Sequence, residues 1–411
     1  MIEIIKKQNC CGCTACAQKC PKQCITLSMD EEGFLYPIVD RSSCINCNLC
    51  MKVCPIINRI EIPKNMQSCY LVQNSNEEER YQSASGGFFS PMAKLILSEG
   101  GVVFGAVFDN NMELVHSYTT DINQLVRFRG SKYLQSNMRD SYSKVKYFLG
   151  LQKKVLFSGT PCQIHGLLSY LGYQDVKNLI TLDFVCHGVP SPGLFKKYIR
   201  FMEKEQQSSV VSYTSRNKRL GYSTRDSFFA HCLFANGTDI YADTDHPYVN
   251  FMNKAFFAEI SSRPACHFCA FKGKKHISDF TIYDSWNTKE LCKEMDDNKG
   301  TTILLMNSDV AKIYFNKIQD EMRVQAIRVK DLLRFDTTSM FYSMIPNPQR
   351  RGFFEDASYL SIPELYDKYL NYAPITPSLT RKYLKCFLEF SGLIYLARKL
   401  KYKINRSETL F

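Results

Sequence analysis

Two runs of cysteine stand 34 residues apart near the start of the chain. The first is Cys10, Cys13, Cys16, Cys20 and then Pro21; the second is Cys44, Cys47, Cys50, Cys54 and then Pro55. Both read C-x2-C-x2-C-x3-C-P, the spacing by which thiolates hold cubane [4Fe–4S] clusters. Three thiolates on one tight loop take three corners of a cube, and the fourth reaches across to the other cluster. One site then gathers Cys10, Cys13, Cys16 and Cys54, and the other Cys44, Cys47, Cys50 and Cys20. The chemistry of such a pair is one-electron transfer. Small residues in the loops (Gly12, Thr14, Ala15, Asn46, Asn48) leave backbone N–H groups free to point at sulfur. Pro21 and Pro55 turn the chain away after the fourth ligand. Zinc needs four ligands in two pairs rather than eight in two quartets, and a disulfide framework fits less well still. Cys11 and Cys24 are spare and are not assigned as ligands.

Four more cysteines stand in telling places. Cys162 and Cys186 each follow the carboxyl end of a predicted strand, Lys154 to Phe157 and Leu179 to Val185, and in mixed α/β sheets that edge binds ligands. Cys266 and Cys269 form a C-x2-C, a two-point grip on metal. Together they count to four, the number a third cubane takes; the alternative is two small buried residues and a stray pair. Gly86 and Gly87, inside Ser83-Ala84-Ser85-Gly86-Gly87-Phe88-Phe89, open a helix expected over 88–99. Paired glycines there let N–H groups approach an anion such as a flavin or nucleotide phosphate, or they form an ordinary N-cap. Gly130-Ser131-Lys132-Tyr133 adds a cation and two hydroxyls.

The elements that must position these residues divide the chain into an α+β arrangement. Residues 1–57 form a unit with a short strand over Ile2 to Ile5. A hairpin follows, from Ile25 to Met29 and Leu35 to Val39, turning at Asp30-Glu31-Glu32-Gly33. Residues 58–80 read as a connector. Residues 81–345 read as a mixed α/β domain. It has a hairpin from Gly101 to Phe108 and Leu114 to Tyr118, and strand-to-helix units leading into helices over 163–171 and 193–205. A later hairpin covers 226–234 and 239–242, joined at Asn236-Gly237. Residues 346–411 read as a separate basic, helical tail.

At 411 residues the chain is long enough for two or three domains, and 45% hydrophobic content is ordinary for a globular protein. Of 18 cysteines, ten precede residue 55. Glu3, Lys6 and Lys7 interrupt any leading apolar run, so a reducing cytoplasm is the expected compartment. No apolar stretch is long enough to span a membrane. The formal charge of +12 falls to roughly +8 once two oxidised cubanes of about −2 each are included. The remaining basicity suits an acidic electron donor, an anionic cofactor or an anionic surface. No nucleic-acid motif is present. In the tail, Leu379, Tyr383, Phe387, Phe390, Ile394, Ala397, Leu400 and Ile404 recur at helical spacing among eight basic residues and two acidic ones. That pattern fits a helix packed on the protein or a partner, or one lying peripherally on the inner, anionic face of a membrane.

Five runs, in order, resemble the coenzyme F420 hydrogenase/dehydrogenase beta-subunit family. They are SASGGFF (83–89), RGSKYL (129–134), VLFSGTPCQIHG (155–166), DFVCHGVPS (183–191) and CHFCAFKGKKHISDFTIYDSW (266–286). The N-terminal unit is similar to the double ferredoxin unit of the family's longer bacterial members. The resemblance spans about residues 5 to 310. It implies a flavin, FAD, beside at least one cubane in the main domain. It assigns the third cluster to Cys162, Cys186, Cys266 and Cys269, and flavin contacts to Ser85, Gly86, Gly87, Ser131, Lys132 and Thr160. His187, next to Cys186, is either a proton donor near the flavin or a structural histidine. The chain departs from its relatives at Asp284-Ser285-Trp286-Asn287, where they tend to place an aromatic residue and a glycine beside the tryptophan. The family name does not fix the substrate.

The expected function is that of an iron–sulfur flavoprotein oxidoreductase. Electrons enter singly through the clusters from ferredoxin or another redox donor, and the flavin passes them in pairs to a small-molecule substrate. The alternative is an electron-transfer subunit that serves a partner enzyme and has no substrate of its own. A third reading keeps the clusters as staples of a non-redox scaffold.

Overall fold

The computed structural model describes residues 1–59, 68–173, 176–222, 228–242, 246–273, 276–332 and 338–371. The amphipathic pattern expected over 378–411 lies outside them. In chain order the strands are β1 (Ile25–Met29), β2 (Leu35–Val39), β3 (Ser68–Asn74), β4 (Val102–Phe108), β5 (Leu114–Thr119), β6 (Val155–Ser158) and β7 (Leu179–Phe184). There follow β8 (Val210–Thr214), β9 (His231–Phe234), β10 (Asp239–Tyr241), β11 (Phe280–Asp284), β12 (Thr302–Met306) and β13 (Met322–Ile327).

Eight of these form one mixed sheet in the order β13-β3-β12-β11-β7-β6-β4-β5. Its centre is parallel: β4 pairs β6, β6 pairs β7 and β7 pairs β11. Antiparallel strands flank it on both sides. Alternating residues of each central strand face opposite layers. Val103, Leu156 and Ile180 pack with the helices Phe89–Ser98 and Asp309–Ile318. Their neighbours Val102, Val155, Phe157 and Leu179 pack with Ser141–Gly150 and Pro161–Leu171. Burial on both faces is what parallel strands need, and it explains their continuous apolar runs. The stretch read as a connector contains β3, which sits between β12 and β13 rather than outside the sheet. Its partners arrive more than two hundred residues later in the chain.

In the cysteine unit β1 and β2 pair from Ile25↔Val39 to Met29↔Leu35. The turn closes through the Asp30 carboxylate, which accepts the Phe34 N–H at 2.8 Å, with Gly33 at φ +80°. The strand expected over Ile2 to Ile5 is absent. The hairpin sheet has two strands, the Ile2 N–H instead donates to Cys50 Sγ at 3.3 Å, and a 3-10 turn follows at Lys7–Asn9.

This unit is keyed into the main body. Gly33 and Gly193 touch backbone to backbone: the Gly193 N–H donates to the Gly33 carbonyl at 3.1 Å. A Cβ on either would lie 2.5 Å from the other's Cα. Glu32 forms a two-pronged ion pair with Arg350 at 2.7 and 2.6 Å. Phe34 and Tyr36 share one core with Leu194, Tyr198, Phe234, Phe353 and Leu365. The helices Arg350–Ala357 and Ile362–Tyr369, which open the stretch read as a basic tail, are thus part of the same packing. Among the described residues no helix is long and apolar enough to cross a membrane.

His116 on β5 is buried, with Nδ1 2.9 Å from Ser136 Oγ and Nε2 2.8 Å from the Ser158 carbonyl. The carbonyl can only accept, so Nε2 carries a proton. Burial pushes its pKa down to about 4. Burial also pushes His165 and His267 down to about 4. The unfolded chain then binds more protons than the folded one between about pH 6.5 and pH 4, so stability falls as pH drops through that window. Each such histidine is worth on the order of 3 kcal/mol by the bottom of it. Urea unfolding across pH 7.5 to 4 should show this decline, and His116→Asn should flatten it.

Candidate functional site

The two cysteine loops share their backbone as well as their spacing. Gly12 and Asn46, 34 residues apart, have φ +73° and +54°; Thr14 and Asn48, also equivalent, have φ +62° and +59°. Each pair starts a short helix, Ala15–Lys19 and Leu49–Lys52. Asparagine and glycine enter the left-handed region readily, whereas the β-branched Thr14 is strained there. A left-handed turn repeated at equivalent positions gives both loops the same curvature, and at Thr14 that curvature is held against local strain.

In the second loop a hollow of about 340 Å³ is lined by Cys20, Cys44, Cys47 and Cys50. The fourth cysteine of the first run therefore faces the first three of the second. Cys24 lines it too, its sulfur 3.4 Å from that of Cys20. Cys47 is exposed, so this hollow lies at the surface. Cys10, Cys13, Cys16 and Cys54 lie deeper. Burial, with Cys10 and Cys54 as charged neighbours, pushes the Cys16 thiol up to about 12. Burial and the same Cys10 raise Cys54.

A second cavity, about 670 Å³, opens at the carboxyl edge of the parallel strands. Cys162 follows β6 and Cys186 follows β7, and because those strands are paired the two cysteines lie side by side. Cys266 and Cys269 reach the cavity on the 3-10 turn Pro264–Phe268, which is tied to the Cys186 loop where the Arg263 N–H meets the Val189 carbonyl at 3.0 Å. Burial, then Cys269 and Cys162, push Cys266 up to about 12. Burial likewise raises Cys186, with Lys272 opposing it and Cys266 adding to it. Among the described residues no carboxylate lines the cavity, and a fifth cysteine, Cys11, does. The Lys272 ammonium donates to the Cys186 and Ser339 carbonyls. His276, held by Asp183 at 2.8 Å, borders the cavity with its Nε2 buried and unpartnered.

The donor sets fit iron–sulfur clusters. Cysteine-rich linings with no carboxylate among the described residues select soft metals, and an orphaned imidazole nitrogen at the wall suits a sulfur acceptor. Among the described residues no three metal-binding side chains converge on one point as a single ion would require. A cubane instead spreads its thiolates over separate irons.

The residues assigned to a flavin are placed as follows. Ser85 Oγ bonds the Thr301 carbonyl at 2.7 Å and Tyr222 Oη at 2.9 Å. The Gly86 N–H donates to Thr302 Oγ1 at 2.8 Å, and a Cβ there would lie 2.2 Å from the Val72 carbonyl, so this glycine serves close packing on the sheet. Gly87 has φ +86°. Thr160 caps the helix Pro161–Leu171 in a capping box, its hydroxyl 3.1 Å from Cys162 Sγ. The Lys132 ammonium donates to the Arg129 carbonyl at 2.8 Å, and burial pushes it down to about 8. Ser131 lies beside Tyr133. His187 is half-buried, with Nε2 2.7 Å from Glu259 Oε1 and Nδ1 3.1 Å from Ser339 Oγ.

Ser85 and Ser131 both border an aromatic cluster. Tyr222 stacks on Trp286 at 4.7 Å, and Arg216 lies 5.0 Å from the Trp286 ring and 4.9 Å from Phe228. Arg216 is fixed by Asp284 at 2.7 Å, and Tyr222 Oη donates to the same carboxylate at 2.9 Å. Asp284 ends β11, on the same sheet edge as Cys186. The flat rings and the held cation are the partners a planar anionic ring system takes. The one available signal was the lone tryptophan; Arg216 and Tyr222 sit in no motif.

Comparison with known proteins follows this geometry. Residues 152–331 match the family described as the C terminus of the coenzyme F420 hydrogenase/dehydrogenase beta subunit. Residues 37–56 match a 4Fe-4S binding domain. No curated protein matches the chain. Among solved structures, a chain of the F420-reducing [NiFe] hydrogenase complex from Methanosarcina barkeri is similar at 15% identity. That match covers 75% of this chain and 92% of that one, with a TM-score of 0.43. Residues 152–331 are thus similar to the C-terminal part of the coenzyme F420 hydrogenase/dehydrogenase beta subunit, and residues 37–56 to a 4Fe-4S binding domain.

Proposed function

We propose that the protein is an iron–sulfur flavoprotein oxidoreductase with a three-cluster electron path. The observation that carries this reading is the position of Cys11. It lies between Cys10 and Cys13 of the first loop and also lines the cavity of Cys162, Cys186, Cys266 and Cys269. The N-terminal thiols and the main-domain thiols therefore abut. The exposed Cys20, Cys44, Cys47 and Cys50 hollow is the entrance, the buried Cys10, Cys13, Cys16 and Cys54 set is the middle, and the sheet-edge cavity is the end. Cubanes supply one-electron steps, and a flavin supplies the exchange between single electrons and pairs. Ser85, Ser131 and Lys132, with the Tyr222–Trp286 stack and Arg216, would hold the flavin. His187, oriented by Glu259, can hold a proton at the cavity rim.

Iron, acid-labile sulfide and extracted flavin in anaerobically purified protein test this. About twelve irons and one FAD per chain are expected. About eight irons with no flavin would leave only the N-terminal pair. The matched family is described as a beta subunit, which favours a second reading: the chain delivers electrons to a partner enzyme and has no substrate of its own. Reduction of a partner alone, without turnover of any small molecule, would select that reading.

A further inference from the structure

Arg263 is fully buried, yet among the described residues no carboxylate pairs with it. Its Nε donates to the Cys10 carbonyl at 2.8 Å, its Nη1 to Gln135 Oε1 at 2.8 Å and its Nη2 to the Leu35 carbonyl at 3.0 Å. Nη2 also lies 3.6 Å from Cys10 Sγ. The guanidinium is 4.2 Å from the Tyr36 ring centre and 5.4 Å from that of Phe34. Gln135 is itself anchored, donating to the Cys11 carbonyl at 3.1 Å. The two carbonyls, the Gln135 amide and the two aromatic rings are all neutral partners. A buried cation without an anion costs several kcal/mol, so its counter-charge is to be sought in what the neighbouring thiols bind.

We propose that Arg263 is the fixed counter-charge of the cluster held by Cys10, Cys13, Cys16 and Cys54, and that it raises that cluster's reduction potential. The proposal rests on the cluster assignment above. An added electron makes an anionic cluster more negative, and burial opposes that change. A positive charge at hydrogen-bond distance from a ligand sulfur offsets the opposition. The duplicated second loop gives the contrast: Cys47 is exposed, and no arginine among the described residues bonds the sulfur of Cys44 or Cys47. Water can stabilise the reduced cluster there, whereas in the buried loop the protein must do so. The constraint also shapes the loop. A Cβ on Gly12 would lie 2.4 Å from Gln135 Nε2 and 2.9 Å from Arg263 Nη1, so only glycine leaves room for the pair. Arg263 opens the turn carrying Cys266, whose N–H donates to the Arg263 carbonyl at 2.9 Å. One residue thus touches both the middle and the inner thiol sets.

Arg263→Gln removes the charge and keeps a hydrogen-bonding group; Arg263→Lys keeps the charge. The full chain is titrated with reductant under EPR detection, with iron and labile sulfide measured on each sample. In Arg263→Gln one cluster wave should move to more negative potential while the others hold, and Arg263→Lys should stay near the wild-type position. Loss of iron from Arg263→Gln alone would point the same way, since charge would then be what the cluster needs. Iron-replete Arg263→Gln with every wave in place would overturn the proposal. So would an equal shift, or an equal loss of iron, in both variants. Wild-type protein without iron would overturn the cluster assignment itself, and this is read before any variant is made.

Discussion

Cys162→Ser is expected to lower iron by about one cluster's worth, four atoms per chain, and to leave the N-terminal pair loaded. Cys162 opens the helix that follows β6, and it lines the cavity together with Cys186, Cys266, Cys269 and Cys11. Because Cys11 lines the same wall, it is placed to substitute partly for the missing ligand. The Cys11→Ser/Cys162→Ser double variant should therefore show the full loss, and Cys11→Ser alone should show little. Iron and sulfide assays with EPR signal counting read the result. Full iron in the double variant would remove the third cluster from the path.

The second large effect is expected from Gly193→Ala. Alanine suits a helix better than glycine, so on propensity alone the change should stabilise the helix Pro192–Gln206. The added methyl would instead lie 2.5 Å from the Gly33 Cα, backbone against backbone, with no flexible side chain to yield. Overpacking of this kind costs roughly 1–3 kcal/mol. The β1–β2 hairpin must shift, loosening the Glu32–Arg350 pair and the Phe34 core contacts. A lower melting temperature and faster proteolysis within the first 59 residues are expected. A melting temperature at or above wild type would show that the hairpin tolerates displacement.

How much was legible depended on whether the physics was local. The cysteine spacing is itself a geometric statement, so the two loops could be read directly. β1 and β2 match their expected bounds because short alternating runs ended at Asp30-Glu31-Glu32-Gly33. β4 to β7 were visible as apolar runs ended by turn residues. β3 was missed because its partners are supplied from Thr302 onward, far along the chain. Arg263 was invisible for a related reason. Between Ser262 and Pro264 it looks like any surface arginine, and only the folded chain brings Cys10, Leu35 and Gln135 around it. Cys11 was set aside as spare because the spacing counted ligands for two clusters and had no place for a fifth thiol at a third site.

Adjoining domains move relative to each other by default unless a substantial apolar interface holds them. Here the touching glycines, the Glu32–Arg350 pair and the shared aromatic core clamp the cysteine unit to the sheet. On the proposed three-cluster path, an electron leaving the Cys10 side for the Cys162 side would cross a set distance, by tunnelling, without waiting for a hinge. Solvent viscosity should then slow the arrival of a donor at Cys47 and leave the internal hop untouched.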